Sequence, residues 1–194
     1  MSIEHSERCR QALTESDATL LASIVDRDPR AFEKLYRLHQ PRLARFVINL
    51  VGRPWLVDEV VDDTLMVVWH RPSSYRGASR FTTWLFAIAY RKAMKARLRQ
   101  DVPIEDPDAA GRPTEEPGPD SALGKHGTRT ALAAALGQLS ADHRAVVDLT
   151  YFHELSYREI AEIMNCPVDT VKTRMFHARR NLRRALAGSL TDWL

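Results

Sequence analysis

The chain has 194 residues, of which 44% are apolar and 27% are charged, and its formal net charge is +3. This composition is close to the average of folded soluble proteins and excludes wholesale disorder and fibrous repeats. No stretch reaches the about 18 uncharged apolar residues of a membrane span, and residues 1–10 lack the apolar run of a secretory signal, so we expect a cytoplasmic protein without direct membrane insertion.

Residues 17–51 predict helices, because their apolar side chains recur at intervals of three and four. The first helix is expected over 17–26 and the second over 29–38, where Pro29 suits a first helical turn. A further helix is expected over 43–51, after Pro41. No convincing period-two run, which would indicate a strand, occurs in the chain, so the predicted fold is all-α.

Residues 54–69 predict a helix with two different faces. Its apolar positions, which are candidates for burial, are Val57, Val60, Val61, Leu65, Val68 and Trp69. Its four acidic residues, Asp58, Glu59, Asp62 and Asp63, recur at intervals of four and share one side. Segment 54–70 contains no Lys or Arg, so we predict an acidic face without internal basic partners.

The next segment, 71–99, has the opposite charge. It contains eight basic residues and no acidic one: Arg71, Arg76, Arg80, Arg91, Lys92, Lys95, Arg97 and Arg99. Residues 75–80, which include Gly77, predict a turn, and a helix is expected from Phe81 to about Arg99.

Residues 101–127 differ in composition from both flanks. They contain seven acidic and two basic residues, five prolines (Pro103, Pro107, Pro113, Pro117 and Pro119) and almost no large apolar side chains. Such a segment cannot bury enough surface to fold, so we predict a flexible acidic linker between two small domains, 1–100 and 128–194. Fully extended it could span about 90 Å, which would let the domains occupy separated sites.

The second domain is predicted to contain short helices over 129–136 and 141–152. Residues 156–159 then match a capping box, in which a serine hydroxyl accepts a helix N–H and a glutamate reaches back. Leu155 and Ile160 occupy the hydrophobic-staple positions beside it. This pattern indicates the start of another helix.

A tight turn and a final helix follow. Asn165-Cys166-Pro167 is expected to end the preceding helix, and Val168 begins the next one. The arrangement of helix, tight turn and helix is typical of helix-turn-helix DNA-binding domains, whose second helix enters the major groove.

Spacing by three and four separates two faces of the last helix. One stripe, expected to pack, comprises Val171, Met175, Ala178 and Leu182. The other side carries Lys172 and Thr173, which can hydrogen-bond base edges, and Phe176, which can contact a thymine methyl. His177 is placed to face DNA, and Arg174, Arg179, Arg183 and Arg184 suit phosphates.

The chain thus has two basic surfaces, over 71–99 and 169–186. Basic clusters stabilise phosphate-bearing partners chiefly by releasing condensed counterions. For one cluster a solvated helix face is an equal alternative, but two clusters in differently built domains favour nucleic-acid binding.

Cysteine and histidine positions indicate neither disulfides nor metals. Cys9 and Cys166 lie at opposite ends of the chain without CxxC spacing, so we expect two free thiols. The seven histidines form no HExxH or closely spaced ligand set, and we predict no metal and no cofactor.

These segments resemble, in order and spacing, the extracytoplasmic-function (group four) sigma factors of bacterial RNA polymerase, in the sigma-70 family. The resemblance covers nearly the whole chain. Residues 58–69 resemble the family's polymerase-binding helix, 75–85 its promoter-melting element, and 155–174 its minus-thirty-five helix-turn-helix.

The resemblance implies a promoter-specificity subunit that binds core RNA polymerase, at the coiled coil of the largest subunit and at the flap, and promoter DNA. It further implies an anti-sigma partner, and neither a catalytic site nor a small-molecule substrate. The implied polymerase-binding residues are Asp58, Glu59, Asp62, Asp63 and Trp69. The implied minus-ten residues are Tyr75, Arg76, Ser79, Arg80, Phe81, Trp84, Tyr90, Arg91 and Lys95. The implied minus-thirty-five residues are Arg158, Lys172, Thr173, Arg174, Phe176, His177, Arg179 and Arg180.

Aromatic rings interleaved with cations, as over 75–95, can hold flipped bases of a melted strand. The sequence departs from the family here, because many members have Arg-Asn where this chain has Tyr90-Arg91, and Asp where it has Lys95. These changes leave the minus-ten base preference open.

Two alternatives remain at this stage. Trp69 and Trp84 lie among apolar neighbours and are also candidates for the core. A stand-alone helix-turn-helix regulator would explain the second domain but not the first. An enzyme acting on nucleic acid is disfavoured, because no phosphate-binding loop or nucleophile elbow is present.

Overall fold

The computed structural model describes residues 17–101 and 125–190, and in those ranges it is all-helical, without a strand. Its α-helices are α1 (17–25), α2 (Pro29–Val51), α3 (Val57–His70), α4 (Phe81–Asp101), α5 (Lys125–Gly137), α6 (Ala141–Tyr151), α7 (Tyr157–Met164) and α8 (Val168–Leu190). Short 3-10 turns at Pro54–Leu56 and Pro72–Ser74 lie before and after α3. We call α1–α4 the N-module and α5–α8 the C-module.

Helix α2 is one continuous helix, whereas the sequence predicted two segments on either side of Pro41. Proline removes a single backbone donor, and the face that packs inward continues past it through Leu35, His39 and Leu43, all buried. Packing of this stripe therefore outweighs the lost hydrogen bond. The helix ends where Gly52 adopts a left-handed conformation, φ 65°, and its N–H bonds the Ile48 carbonyl.

The predicted apolar stripes are confirmed where they run through helix centres. In α3, Val60, Val61, Leu65 and Val68 are buried, and in α8, Val171, Met175 and Ala178 are buried. The end positions Val57, Trp69 and Leu182 are partly buried against the same core. Trp69 packs on Phe32, with ring centroids 5.2 Å apart. The alternative prediction, that Trp69 belongs to the core, is therefore correct in part.

The described helices extend into both ends of the predicted linker, since α4 reaches Asp101 and α5 begins at Lys125. The five prolines of that segment lie outside the described residues. The all-α architecture of two helical domains is confirmed, with a C-terminal four-helix domain that contains a helix-turn-helix.

The two modules pack directly against each other. Helix α2 contacts α6, and α4 contacts α7. Phe46 and Phe86 of the N-module lie edge to face, 5.2 Å apart, and the His153 ring of the C-module lies 4.6 Å from that of Phe86. The buried side chains of both modules consequently form one continuous core, an arrangement that the sequence did not predict.

Candidate nucleic-acid interface

The acidic face of α3 is exposed, and all four predicted carboxylates lie on it. One of them, Asp62, accepts a hydrogen bond from the Tyr36 hydroxyl at 2.7 Å. That bond, together with burial, raises the pKa of Tyr36 to about 12. The neighbouring α2 thus fixes the position of one predicted polymerase contact.

The expectation that this face has no internal basic partner is wrong for one residue. Lys92 Nζ of α4 lies 2.9 Å from Asp63 Oδ2. Because α3 and α4 pack side by side, a lysine from the basic segment reaches the acidic one, which a search within one helix could not reveal. The other two acids, Asp58 and Glu59, lie in the first turn of α3, where negative charge is favourable to the helix dipole.

The predicted minus-ten aromatics form a cluster at the start of α4. Tyr75 lies 5.5 Å from Phe81 and 5.4 Å from Trp84, centroid to centroid. The Tyr75 hydroxyl donates to the Ser79 carbonyl at 2.7 Å and closes the turn before α4, and burial raises the pKa of this tyrosine. Phe81 is only 2% exposed, so in this conformation it supports its neighbours rather than offering a stacking face.

The cations of this region differ in their availability. Arg76, Arg91 and Lys95 are exposed. Arg80 is half-exposed, and its guanidinium lies 3.4 Å from Glu159 of the C-module. Arg91 and Lys95 thus expose positive charge about one turn apart on α4, whereas Arg76 and Arg80 lie before that helix.

Tyr90 projects into the module interface. Its hydroxyl donates to Asp142 Oδ1 of α6 at 2.8 Å. Burial, and next this hydrogen bond, raises the pKa of Tyr90 well above its usual range. This predicted minus-ten residue is therefore bound to the other module.

The helix-turn-helix forms as its local sequence predicts. Ser156 Oγ accepts from the Glu159 N–H at 3.3 Å, and Glu159 Oε2 accepts from the Ser156 N–H at 2.9 Å, so both halves of the capping box are present. Leu155 and Ile160 are buried beside it. Asn165, with φ 49°, ends α7 in the left-handed conformation that asparagine tolerates.

Most predicted minus-thirty-five residues are exposed. These are Arg158, Lys172, Thr173, Phe176, His177, Arg179 and Arg180. Phe176 is 64% exposed, which is unusual for a large apolar side chain on a helix with a formed core. Local contacts position two polar groups, since Lys172 pairs with Asp169 at 2.9 Å and the Thr173 hydroxyl donates to the Asp169 carbonyl.

Arg174 differs from these residues because it is paired within the C-module, with an acid of α6 that also accepts from Tyr90. Its guanidinium lies 2.5 Å from Asp142 Oδ2 and 3.7 Å from Cys166 Sγ. The side chain is 26% exposed, compared with 60% for Lys172. A phosphate could reach it only after that contact opens.

Sequence reasoning missed several acceptors at the module interface. Asp142, Asp148 and Glu159 of the C-module each accept from an N-module donor. Asp142 is an acid in the first turn of α6, and Glu159 is the capping-box glutamate of α7. Neither pattern indicated a partner in the N-module. The partners are separated by at least 52 positions along the chain, so local spacing could not identify the pairs.

Cys166 is a free thiol, and Cys9 lies outside the described residues. Within 17–101 and 125–190 no group of three or more potential metal ligands occurs. In the same ranges no helix combines the length and apolar character required to cross a bilayer.

Comparison with known proteins identifies both modules. The Sigma-70 region 2 family model matches residues 35–102, and the Sigma-70, region 4 model matches residues 129–182. RNA polymerase sigma-H factor of Pseudomonas aeruginosa is 30% identical over 190 residues, which cover 92% of this chain and 97% of the relative. ECF RNA polymerase sigma-E factor of Escherichia coli is 31% identical over 174 residues, which cover 84% and 91%.

Solved structures agree with this result. CnrH in complex with the cytosolic domain of CnrY matches with a TM-score of 0.64 and 26% identity, over 89% of this chain and 98% of CnrH. The sigma factor RpoE in complex with the anti-sigma factor NepR from Bartonella quintana matches with a TM-score of 0.59 and 30% identity, over 80% and 96%.

The chain therefore belongs to the extracytoplasmic-function (ECF) sigma factors of the sigma-70 family. It is an alternative initiation factor of bacterial RNA polymerase. The stand-alone regulator is excluded as an alternative, because the region 2 match accounts for the N-module, which that interpretation left unexplained.

Proposed function

We propose that the N-module binds core RNA polymerase and the melted minus-ten strand, while the C-module binds the minus-thirty-five element. The observation that carries the proposal is the placement of three exposed surfaces of distinct chemistry on one chain: the acidic face of α3, the cations of α4 and the outward side of α8. Each surface suits one ligand.

The acidic face suits the basic coiled coil of the largest polymerase subunit. Among the described contacts, no basic side chain pairs with Asp58, Glu59 or Asp62. Asp63 would give up its ion pair with Lys92 and pair with a basic residue of the polymerase instead. Trp69 lies at the end of the same helix and leaves part of its ring accessible. The resemblance to the family also implies a contact with the flap of the polymerase.

The remaining surfaces suit DNA. Arg76, Arg91 and Lys95 are exposed and would supply positive charge to a strand backbone, and Tyr75 and Trp84 would supply partly exposed rings for stacking. On α8, Lys172, Thr173, Phe176 and His177 would face base edges, while Arg158, Arg179 and Arg180 would contact phosphates. We infer that the polymerase performs the chemistry, in the cytoplasm, and that this chain acts as its promoter-specificity subunit.

Transcription in vitro with core polymerase on a library of genomic DNA tests this proposal. We expect initiation only when the chain and polymerase are both present, at sites that share two upstream motifs. Asp58→Lys should reduce initiation at least tenfold at low salt, because reversal of a docking charge slows and weakens association.

Glu33→Lys, which reverses an exposed acid of α2, is the matched control and should retain activity. Equal losses for the two variants, or initiation without a shared motif, would contradict the assignment.

We also propose that an anti-sigma protein restrains this chain. The support is that RpoE of Bartonella quintana was solved with an anti-sigma factor. The full chain, purified from its native cell without inducing stress, should carry a stoichiometric protein partner other than polymerase. A chain recovered only free or on polymerase would overturn this part of the proposal.

A further inference from the structure

The turn after α1 places an arginine in a backbone conformation that usually requires glycine. Arg27 has φ 64°. Its N–H donates to the Ile24 carbonyl at 3.0 Å, and the Asp28 N–H donates to the Ser23 carbonyl at 3.1 Å. This is the Schellman arrangement of a helix end, whose left-handed position is usually taken by glycine or asparagine. Such backbone strain persists only where surrounding contacts hold the residue in place.

The Arg27 side chain makes two contacts with Trp69, which lies 42 positions away in the sequence. Its Nη1 donates to the Trp69 carbonyl at 2.7 Å, and its guanidinium carbon lies 5.6 Å from the centroid of the Trp69 ring. That carbonyl belongs to the last turn of α3, where backbone acceptors lack partners within the helix and a positive charge is favourable to the helix dipole. The guanidinium over the ring adds a cation–π attraction. One side chain therefore holds both the backbone and the ring of Trp69.

Helix α2 supports the same ring and the acidic face beside it. Phe32 packs on Trp69 with centroids 5.2 Å apart, and Phe32 lies edge-on to Tyr36 at 6.3 Å. The Tyr36 hydroxyl in turn donates to Asp62. Asp62 and Trp69 are seven residues apart, about two helical turns, so they lie on one side of α3. The side chains that fix this surface therefore come from outside α3.

We propose that Arg27 is a positioning residue of the polymerase-binding surface and holds the Trp69 ring in the orientation that polymerase binds. This inference rests on the proposed function, which assigns Trp69 and the acidic face of α3 to polymerase. Arg27 acts through Trp69, because its guanidinium is directed at the carbonyl and ring of that residue. A ring that is already oriented loses less conformational freedom on binding.

The charge of Arg27 distinguishes positioning from a direct electrostatic effect. The partner assigned to the acidic face is basic, so removal of a nearby arginine would strengthen association if charge alone mattered. Removal of a residue that positions Trp69 would weaken association. The two explanations thus predict opposite changes in polymerase affinity for the same substitution.

The affinity is measured by anisotropy of the full chain, labelled with fluorescein at its N-terminus and titrated with core polymerase. We expect Arg27→Gln to weaken binding about fivefold, a typical size for coupling between residues in contact. Arg27→Lys keeps a charged donor and should recover part of the loss. Arg30→Gln is the matched control, because it removes the same charge from an exposed side chain in the first turn of α2, and it should bind at least as tightly as the wild type.

Two further variants separate positioning from a loss of folding. Arg27→Gly removes the side chain but suits the left-handed backbone, so it should keep the thermal midpoint within a few degrees and still bind polymerase about fivefold more weakly. Trp69→Leu should also weaken binding. In the Trp69→Leu background, Arg27→Gln should cause little further loss, because the ring that Arg27 positions is absent.

Fluorine NMR of the free chain, labelled with 5-fluorotryptophan, follows the ring directly. The Trp69 resonance is assigned by its absence from Trp69→Leu. It should shift in Arg27→Gln and stay in place in Arg30→Gln.

The proposal is overturned if Arg27→Gln binds polymerase as tightly as the wild type or more tightly, if Arg30→Gln causes an equal loss, or if the Trp69 resonance is unmoved in Arg27→Gln. Wild-type affinity of Trp69→Leu would remove Trp69 from the polymerase-binding surface, and the role of Arg27 with it. A loss in Trp69→Leu without a loss in Arg27→Gln would remove the positioning role alone and leave the proposed function intact.

Discussion

Side chains with the same charge on α8 have different environments. Lys172 is held by Asp169 but remains mostly exposed, whereas Arg174 is only 26% exposed and pairs with Asp142 of α6. Position along the helix predicted that both would face DNA. The exposed fraction of the side chain distinguishes Lys172 from Arg174. Only Lys172 is accessible to bases without a conformational change.

We expect Lys172→Ala or His177→Ala to lower transcription from the cognate promoter and to relax the choice of upstream base by about 1–3 kcal/mol at one position. Arg183→Ala, at a phosphate-type position, should weaken binding to all sequences alike. Transcription from a library of upstream-element variants measures both effects. Identical, sequence-independent losses for the three variants would remove the base-reading assignment.

His143 provides a pH-dependent test of the packing between α6 and α8. Burial, followed by the proximity of His177 and Arg174, lowers the pKa of His143. The unfolded chain then binds more protons than the folded one, so this group's contribution to stability is lost as pH falls through the ordinary histidine range.

His177→Asn should raise the pKa of His143 part of the way toward its ordinary value, as followed by NMR titration of the ring protons. His70→Asn, at an exposed histidine of α3, is the control and should leave it unchanged. A His143 pKa at or above the ordinary value in the wild type would contradict the structure.

At the scale of single elements, local chemistry explains how helices begin and end. The capping box of α7, the end of that helix at Asn165 and the apolar stripe of α8 follow from the local sequence, and the structure confirms them. Continuity of α2 through Pro41 does not follow from spacing, because it depends on the buried contacts of the whole inward face.

Two glycines at helix ends differ in whether their backbone conformation requires glycine. Gly52 has φ +65°, a conformation that costs other residues about 1–2 kcal/mol. Gly137 has no such requirement, and a methyl group there would meet nothing within 4 Å. Gly52→Ala should lower the free energy of unfolding by about 1 kcal/mol, whereas Gly137→Ala should raise it by up to about 1 kcal/mol. Urea denaturation measures both, and the same sign for both variants would contradict the assignment of a left-handed conformation to Gly52 and not to Gly137.

At the scale of the whole molecule, the two modules share one core although the sequence predicts separate domains. The sequence identified the charge segregation, the helix-turn-helix and the likeness to sigma factors from local patterns. It could not predict that Lys92 reaches Asp63, or that Tyr90 and Arg174 converge on Asp142, because those pairs depend on how helices distant in sequence pack. The sequence could therefore identify the candidate residues that lie exposed. It could not identify the internal contacts in which Tyr90, Lys92 and Arg174 take part.

The central claim is that the two modules hold two separate promoter segments on the polymerase. It is tested most directly by site-specific photo-crosslinking of the full chain, with the crosslinker placed at Arg91 in one protein and at His177 in another. Both positions are exposed. In the presence of core polymerase and a promoter fragment, we expect Arg91 to crosslink to the melted strand near the start site and His177 to crosslink to the upstream element. Crosslinks from both positions to one segment, or equally strong crosslinks without polymerase, would contradict the account.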